Sequence, residues 1–441
     1  MKIYKYFILL ILIIFLPTAA MAANHYVRAG ANGNGGGTDW TNAYNTLPSS
    51  LVRGDTYYIA DGNYGSYRFD DAMSGETFIT IKKATSSDHG TNIGWNATYG
   101  DGQAIFSSSG TPISMYASYM IIDGQVGSGK NGHGFVFQCT SGGANTRGLT
   151  FGSSTGITDV ILRHVEISNT ITHTTTDCEV IYANNAADNV TIQYCYLHDC
   201  NYSAVIQTLN NDNWIIEHSV LANAWSKEMW SDHDSTNITV RYCTVENFRG
   251  TGGFIFEGVS NFNCYGNVFF NSDSSYDSYG VDTAIIGTWY GKSEVGTNWR
   301  IYNNTFVNFQ STSMTAYRIG PEVGTGNVCY NNIFFNINGG VSFGSITHDY
   351  NAFSGDNGVS ESHAQTRLSA DIFRDFNRND FTLVTNTDAG ISLPAPYNRD
   401  INNNIRGADA IWDRGAYEYS SGLAQTAPAI PDAPSGLRII Q

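Results

Sequence analysis

Charge is scarce in this chain. Asp, Glu, Lys and Arg make up only 14% of its 441 residues, and basic groups are the scarcer, 23 against 39 acids, for a net charge of −16. A surface so poor in Lys and Arg cannot neutralise many phosphates, so nucleic acid is not the expected partner. It would also repel an acidic polysaccharide unless calcium or a local basic patch intervened. Cysteine is sparse and odd in number, seven in all. A chain of this length buries a core without disulfide staples. No His or Cys pair has zinc-ligand spacing such as HExxH or CxxC. No apolar run after the first is long enough to span a membrane. Gly, Asn, Thr and Ser are abundant instead, which suits β structure with many tight turns.

The first apolar run is short. Lys2 and Lys5 precede Phe7 to Leu16, followed by Pro17 and the small-residue site Ala20-Met21-Ala22. That is the charged, apolar and cleavage order of a secretory signal peptide, and the run is too short to anchor in a bilayer. Residues 1–22 are therefore expected to be removed, leaving 21 basic against 39 acidic residues, or −18. The mature chain is expected to be secreted or on the cell surface, without a transmembrane segment.

Repetition carries the fold. Seven segments align without gaps: VILRHVEISN (160–169), VTIQYCYLHD (190–199), WIIEHSVLAN (214–223), ITVRYCTVEN (238–247), FNCYGNVFFN (262–271), WRIYNNTFVN (299–308) and VCYNNIFFN (328–336). A strand-rich repeat of about two dozen residues fits one coil of a β-solenoid. Apolar residues alternate within each segment. One inward column reads Ile192, Ile216, Val240, Cys264, Ile301, and another reads Leu197, Leu221, Val245, Phe269, Phe306, Phe334. Each segment ends on Asn or Asp (Asn169, Asp199, Asn223, Asn247, Asn271, Asn308, Asn336), which tolerates a left-handed turn and can stack its amide on the next coil. A second polar set precedes the segments: Asn189, Asn213, Asn237, Asn261 and Asn298. Cys195 and Cys243 share a column two coils apart, about 9–10 Å, too far for a disulfide. Those two, with Cys264 and Cys329, read as buried thiols, whereas Cys178 and Cys200 fall on adjacent coils and are placed to bridge.

With these repeats the sequence resembles the pectin-lyase-like superfamily of right-handed parallel β-helices. The start, from His25-Tyr26-Val27 through Asp39-Trp40 to Asp61-Gly62-Asn63-Tyr64, is similar to the first coil of exported bacterial members, where a short helix caps the core. Trp40, Ala43, Leu47 and Leu51 give one apolar helical face for that role. The end, Asp380-Phe381-Thr382-Leu383 through Arg414-Gly415-Ala416-Tyr417-Glu418-Tyr419, resembles the group's closing segment. The resemblance implies an all-β solenoid domain over 23–419 with an N-terminal capping helix, a monomer, and a polysaccharide as partner. Residues 420–441 are rich in Pro, Ala and Ser and read as a tail; Pro434 to Arg438 looks like the opening of a fibronectin type III module that the chain is too short to complete. The superfamily contains lyases, hydrolases, epimerases and adhesins, so fold does not settle function.

In such solenoids grooves form where loops leave the coil beside one sheet. Here those stretches are 178–188, 201–212, 224–236, 248–260, 272–297 and 309–326. The richest is Trp225-Ser226-Lys227-Glu228-Met229-Trp230-Ser231-Asp232-His233-Asp234. Met229 and Ser231 align with inward positions, so Glu228, Trp230 and Asp232 are expected to face outward, with Glu257 near Asp232 one coil on. Flanking coils add Gln207, Arg249, Tyr290, Lys292, Arg318 and Glu322. A uronate lyase needs a cation on the substrate carboxylate and a base for the adjacent proton. Asp232, Asp234 and Glu257 are then candidate calcium ligands, and Lys227, Lys292 or Arg318 candidate bases. Trp230, Glu228, Arg249 and Tyr290 are candidate substrate contacts. A hydrolase needs two carboxyls about 5–9.5 Å apart, which Glu228, Asp232 and Glu257 could supply. A binding protein needs only aromatic platforms, available at Trp225, Trp230, Trp289 and Tyr290. A mixed-charge row on a solenoid is also what a solvated face looks like. His164, His198 and His218 sit in repeat columns and read as structural. The Asn-Thr-Asp and Gly-Asp-Asp motifs of polygalacturonase-like hydrolases do not occur, and no Lys or Arg motif of alginate or chondroitin lyases is matched.

Overall fold

The computed structural model describes residues 22–141, 144–152, 156–169, 178–184, 187–200, 203–232, 234–248, 252–272, 284–289, 294–310, 316–355 and 360–420. The expected signal peptide and C-terminal tail lie outside these residues, apart from Ala22 and Ser420.

Among the described residues the chain winds through three long sheets, of 12, 11 and 10 strands. Every neighbour pair within them is parallel, as in Val160↔Val190 in the first sheet, Leu197↔Leu221 in the second and Gln207↔Trp230 in the third. Each coil contributes one strand to each sheet, so the product is a right-handed parallel β-helix. The two inward columns read from the sequence are buried throughout. They form one continuous core along the axis, with Phe269, Phe306, Phe334 and Phe353 stacked on successive coils at 4.9–5.4 Å.

Each repeat segment is two strands, not one. The bend falls on a left-handed residue: Tyr194 (φ 53°), His218 (49°), Tyr242 (57°), Asn303 (54°) and Asn331 (60°). Around the bend His164, Tyr194, His218 and Tyr242 stack with ring centroids 5.1 Å apart. His164 and His218 are thus structural, as their column suggests. The following position forms a buried amide ladder, Asn267→Asn304→Asn332→Asn351, each Nδ2 donating to the next Oδ1 at 3.0 Å. The ladder begins where Cys195, Ser219 and Cys243 occupy the same column.

The segment-final residues behave largely as expected. Asp199, Asn223, Asn247, Asn308 and Asn336 are left-handed. Asn223 donates to Asp199 (2.8 Å), Asn247 to Asn223 (3.1 Å) and Asn336 to Asn308 (2.7 Å). Asn169 turns instead to the Thr146 carbonyl. The preceding set makes an exposed ladder, Asn213→Asn189, Asn237→Asn213, Asn261→Asn237 and Asn298→Asn261, at 2.9–3.2 Å. Between Cys178 and Cys200 the contact is a hydrogen bond, Cys200 Sγ donating to the Cys178 carbonyl at 3.2 Å. Cys195, Cys243, Cys264 and Cys329 are buried free thiols.

The expected capping helix does not form. Trp40, Ala43, Leu47 and Leu51 are buried over the open end as anticipated, but residues 38–51 are turns, and Tyr44 bridges to Val27. Thr41, Asn42, Asn45 and Thr46 are weak helix formers, and Pro48 cannot donate within a helix. No helix of the described residues is long and apolar enough to cross a membrane.

Candidate functional site

The stretches read from sequence as groove loops contain the strands of the third sheet. Ala204–Leu209, Lys227–Asp232, Gly252–Phe256, Ala284–Thr288 and Tyr317–Gly320 lie side by side there. Inward go Ile206, Met229, Phe254, Ile286 and Ile319, all buried. Outward, in register, go Gln207, Trp230, Ile255, Gly287 and Gly320.

This outward row organises the site. Gly287 and Gly320 leave it without side chains, and Arg318 lies across the gap: a Cβ on Gly287 would stand 3.1 Å from Arg318 Nε. Arg318 Nη1 donates to Glu322 at 2.7 Å, and Nη2 bonds the Thr288 carbonyl. Beside the row, Lys227 is only 5% exposed. Its ammonium stands 4.3 Å from the Trp230 ring centroid and 4.7 Å from that of Trp289. The two indoles are 6.1 Å apart and inclined at 37°. Ile255, almost fully buried, follows Trp230 in the row.

Glu257 is 8% exposed, and its N–H donates to the Ser231 carbonyl at 2.8 Å, so its place opposite Asp232 is as expected. Asp234 is exposed and folds back toward Gly258, where a Cβ would stand 3.0 Å from Asp234 Oδ1. Asp234 and Glu257 are thereby neighbours, yet among the described residues no three acidic, His or Cys groups are arranged to hold a metal. Asp232 continues the strand in register with Leu209. Its side chain, with His233, Arg249, Tyr290 and Lys292, lies outside the described residues.

Glu228 corrects the sequence reading. It was expected to face outward but has no solvent exposure. The register puts it between Val205 and Gly253, in a core column continued by Val180 and Ile285. The chain turns a corner at Trp225-Ser226, so the strict alternation resumes only at Met229. Glu228 Oε1 accepts from the Ala224 N–H at 3.0 Å, and Oε2 has no hydrogen-bond partner among the described residues. Burial pushes this carboxyl well above its usual range, and the charges of Glu246 and Asp199 push the same way. Buried inside the wall, it is not a substrate contact and not one of a hydrolase's two carboxyls.

Besides Glu228 Oε2, Trp230 Nε1, Ser231 Oγ and Thr208 Oγ1 are buried without hydrogen-bond partners among the described residues. Sequence reasoning named Lys227, Trp230, Trp289, Arg318, Glu322 and Glu257, and these are brought together. It missed the roles of Ile255, Gly287, Gly320 and Thr288. Their signal was alignment of the third-sheet strands, which unequal connections between coils conceal.

Comparison with solved structures follows from this geometry. The pectate lyase Pel9A superposes with a TM-score of 0.52 at 13% identity, over 91% of this chain and 97% of its own. The chain is a right-handed parallel β-helix of the pectin-lyase-like fold. The PL6 family alginate lyase AlyGC matches with a TM-score of 0.35 at 13% identity, over 72% of this β-helix and 51% of its own chain. Pectin methylesterase PemA from Erwinia chrysanthemi matches at 0.30 and 10% identity, over 83% and 99%. At such identities the likeness concerns the fold alone. No model of a known protein family matches the β-helix, and no curated protein matches it.

Proposed function

We infer that this β-helix acts on a polysaccharide at the outer face of its third sheet, as a lyase that eliminates across a uronate glycosidic bond. The observation that supports the reading is the Lys227 ammonium held against Trp230 and Trp289 beside Arg318. Positive charge fixed next to aromatic surface suits a sugar ring that carries a carboxylate. In the reaction, a cation on that carboxylate makes the neighbouring C–H acidic. A base takes the proton, the electron pair of the C–H bond becomes the new double bond, and the glycosidic oxygen leaves with the C–O pair and takes up a proton. Lys227 suits the carboxylate-holding part, because its amine stands against two aromatic faces on which a sugar ring can rest. Arg318, already engaged by Glu322 and Thr288, suits positioning. We propose Lys292, a candidate base in the sequence, for that step. No step is routed through calcium; Asp232, Asp234 and Glu257 are the residues that would hold it, and sensitivity to chelator tests its part.

The test is turnover of polygalacturonate, alginate and neutral glycans by the purified protein, with calcium or with chelator. New ultraviolet absorbance from unsaturated ends is expected, falling at least a hundredfold in Lys227→Ala. Reducing ends without absorbance would make it a hydrolase. Binding without product would make it a glycan-binding solenoid.

A further inference from the structure

The outward row that passes through Trp230 continues toward the N-terminal coils without a break in register. Tyr182 precedes Gln207, Thr150 precedes Tyr182, and Ser114 and Arg68 come before them. Two stations on this stretch have the same construction. Arg147 lies 4.0 Å from the Tyr182 ring centroid while its Nε donates to Glu179 at 2.9 Å. Arg68 lies 3.7 Å from the Tyr116 ring centroid and pairs with Asp70 at 3.0 Å. Tyr116 occupies its place because residue 152 is glycine: a Cβ there would stand 2.2 Å from the ring. Lys227 on Trp230 and Trp289 is the third such station.

Counted in strands, Arg147 is three coils before Lys227, and Arg68 is two coils before Arg147. At about 4.8 Å per coil these intervals are about 14 Å and about 10 Å. A cation fixed on a ring presents donors and an apolar edge together, which is what a pyranose ring with its hydroxyls matches. Three such stations along one axis suit an extended polymer and are redundant for a small ligand.

Resting on the functional reading above, we propose that Arg147–Glu179–Tyr182 and Arg68–Asp70–Tyr116 form a second binding region for the same glycan. The chain would lie along the solenoid axis and extend from the Lys227 site toward the N-terminal coils. The protein then selects long chains over short ones.

Binding is read by affinity electrophoresis and calorimetry, using oligosaccharides of three to twelve residues cut from the glycan that the turnover panel identifies, or polygalacturonate if none turns over. For the wild type, affinity should keep rising beyond the length that fills the Lys227 site. Tyr182→Ala and Tyr116→Ala should each lower the ratio of twelve-residue to three-residue affinity by about threefold to tenfold. Tyr182→Phe, which keeps the ring, should restore most of it and controls for folding. An unchanged ratio in both alanine variants would overturn the second region while leaving the Lys227 site standing. If no glycan binds at any length, the functional reading and this extension fall together.

Discussion

Glu228→Gln replaces a carboxyl by an amide of the same shape at a position with no solvent contact. The amide keeps an acceptor for the Ala224 N–H but cannot ionise. In the unfolded chain the carboxyl titrates near 4.5, and in the folded chain burial holds it protonated to well above that value. Between the two pKa values the folded protein binds one more proton than the unfolded one, so stability falls as pH rises. The contribution is fully present below 4.5 and is lost progressively above it, at about 1.4 kcal/mol per pH unit. From pH 4.5 to 6.5 the wild type should therefore lose stability that the glutamine variant keeps, by at most about 2.3 kcal/mol. Other titrating groups cancel in the comparison. Urea unfolding of both proteins at pH 4.5, 5.5 and 6.5 gives the difference, and melting temperatures serve if unfolding proves irreversible. The variant should gain steadily on the wild type. A difference constant with pH would mean that Glu228 is ionised in the fold, and the account of the corner at Trp225-Ser226 would be wrong.

Burial pushes the Cys195 and Cys243 thiols up to about 12, so both should resist iodoacetamide at pH 8 until urea unfolds the chain; rapid native alkylation, read by mass spectrometry, would contradict it. Asn332→Ala removes the acceptor of the Asn304 N–H and the donor to the Ile301 carbonyl, both buried. It should cost about 3 kcal/mol or more, whereas Asn213→Gly in the exposed ladder should cost less than about 1 kcal/mol, since glycine accepts its left-handed backbone. Equal losses in urea titrations would mean that the two ladders do not differ in solvation. Trp230→Ala removes one of the two rings that hold Lys227 and should weaken glycan binding by calorimetry about threefold to tenfold; undiminished affinity would remove Trp230 from the site.

The solenoid was legible because its signal repeats. Strands of the first two sheets carry alternating apolar residues at nearly constant spacing, so Ile192, Ile216 and Val240, or Leu197, Leu221 and Val245, declare their columns without a structure. The amide ladders were legible for the same reason: each rung is occupied by a residue that tolerates a left-handed backbone. The third sheet was read less well. Its strands are separated from the repeat segments by connections of unequal length, so the outward row from Arg68 to Gly320 has no fixed period in the sequence. Glu228 was misplaced because alternation counted back from Met229 does not survive the corner at residues 225–226. The capping helix failed on local propensity. Four apolar positions at helical spacing do mark a buried face, but Thr41, Asn42 and Pro48 let turns present the same face more cheaply.

The distribution of accessory segments explains why chemistry is to be sought on the third sheet. On the second sheet, outward Val268, Phe270, Val307, Ile333 and Phe335 are buried beneath the closing segment, with Phe381 against Phe270 and Phe373 against Phe335. Farther toward the N-terminus the loop at 124–134 crosses the same sheet, held by His133 on the Tyr194 carbonyl and by Lys130 on Glu246. On the first sheet Tyr397 packs between Tyr265 and Tyr302. Each of these segments spends its contacts on covering apolar or charged surface that would otherwise be exposed. On the third sheet, the described cations and rings instead meet one another: Arg68 with Tyr116, Arg147 with Tyr182, Lys227 with Trp230 and Trp289. A face that orders its own polar and aromatic groups along the axis is prepared for a ligand of the same length. A chain carrying few basic residues has placed several of them, Arg68, Arg147, Lys227 and Arg318, on that face.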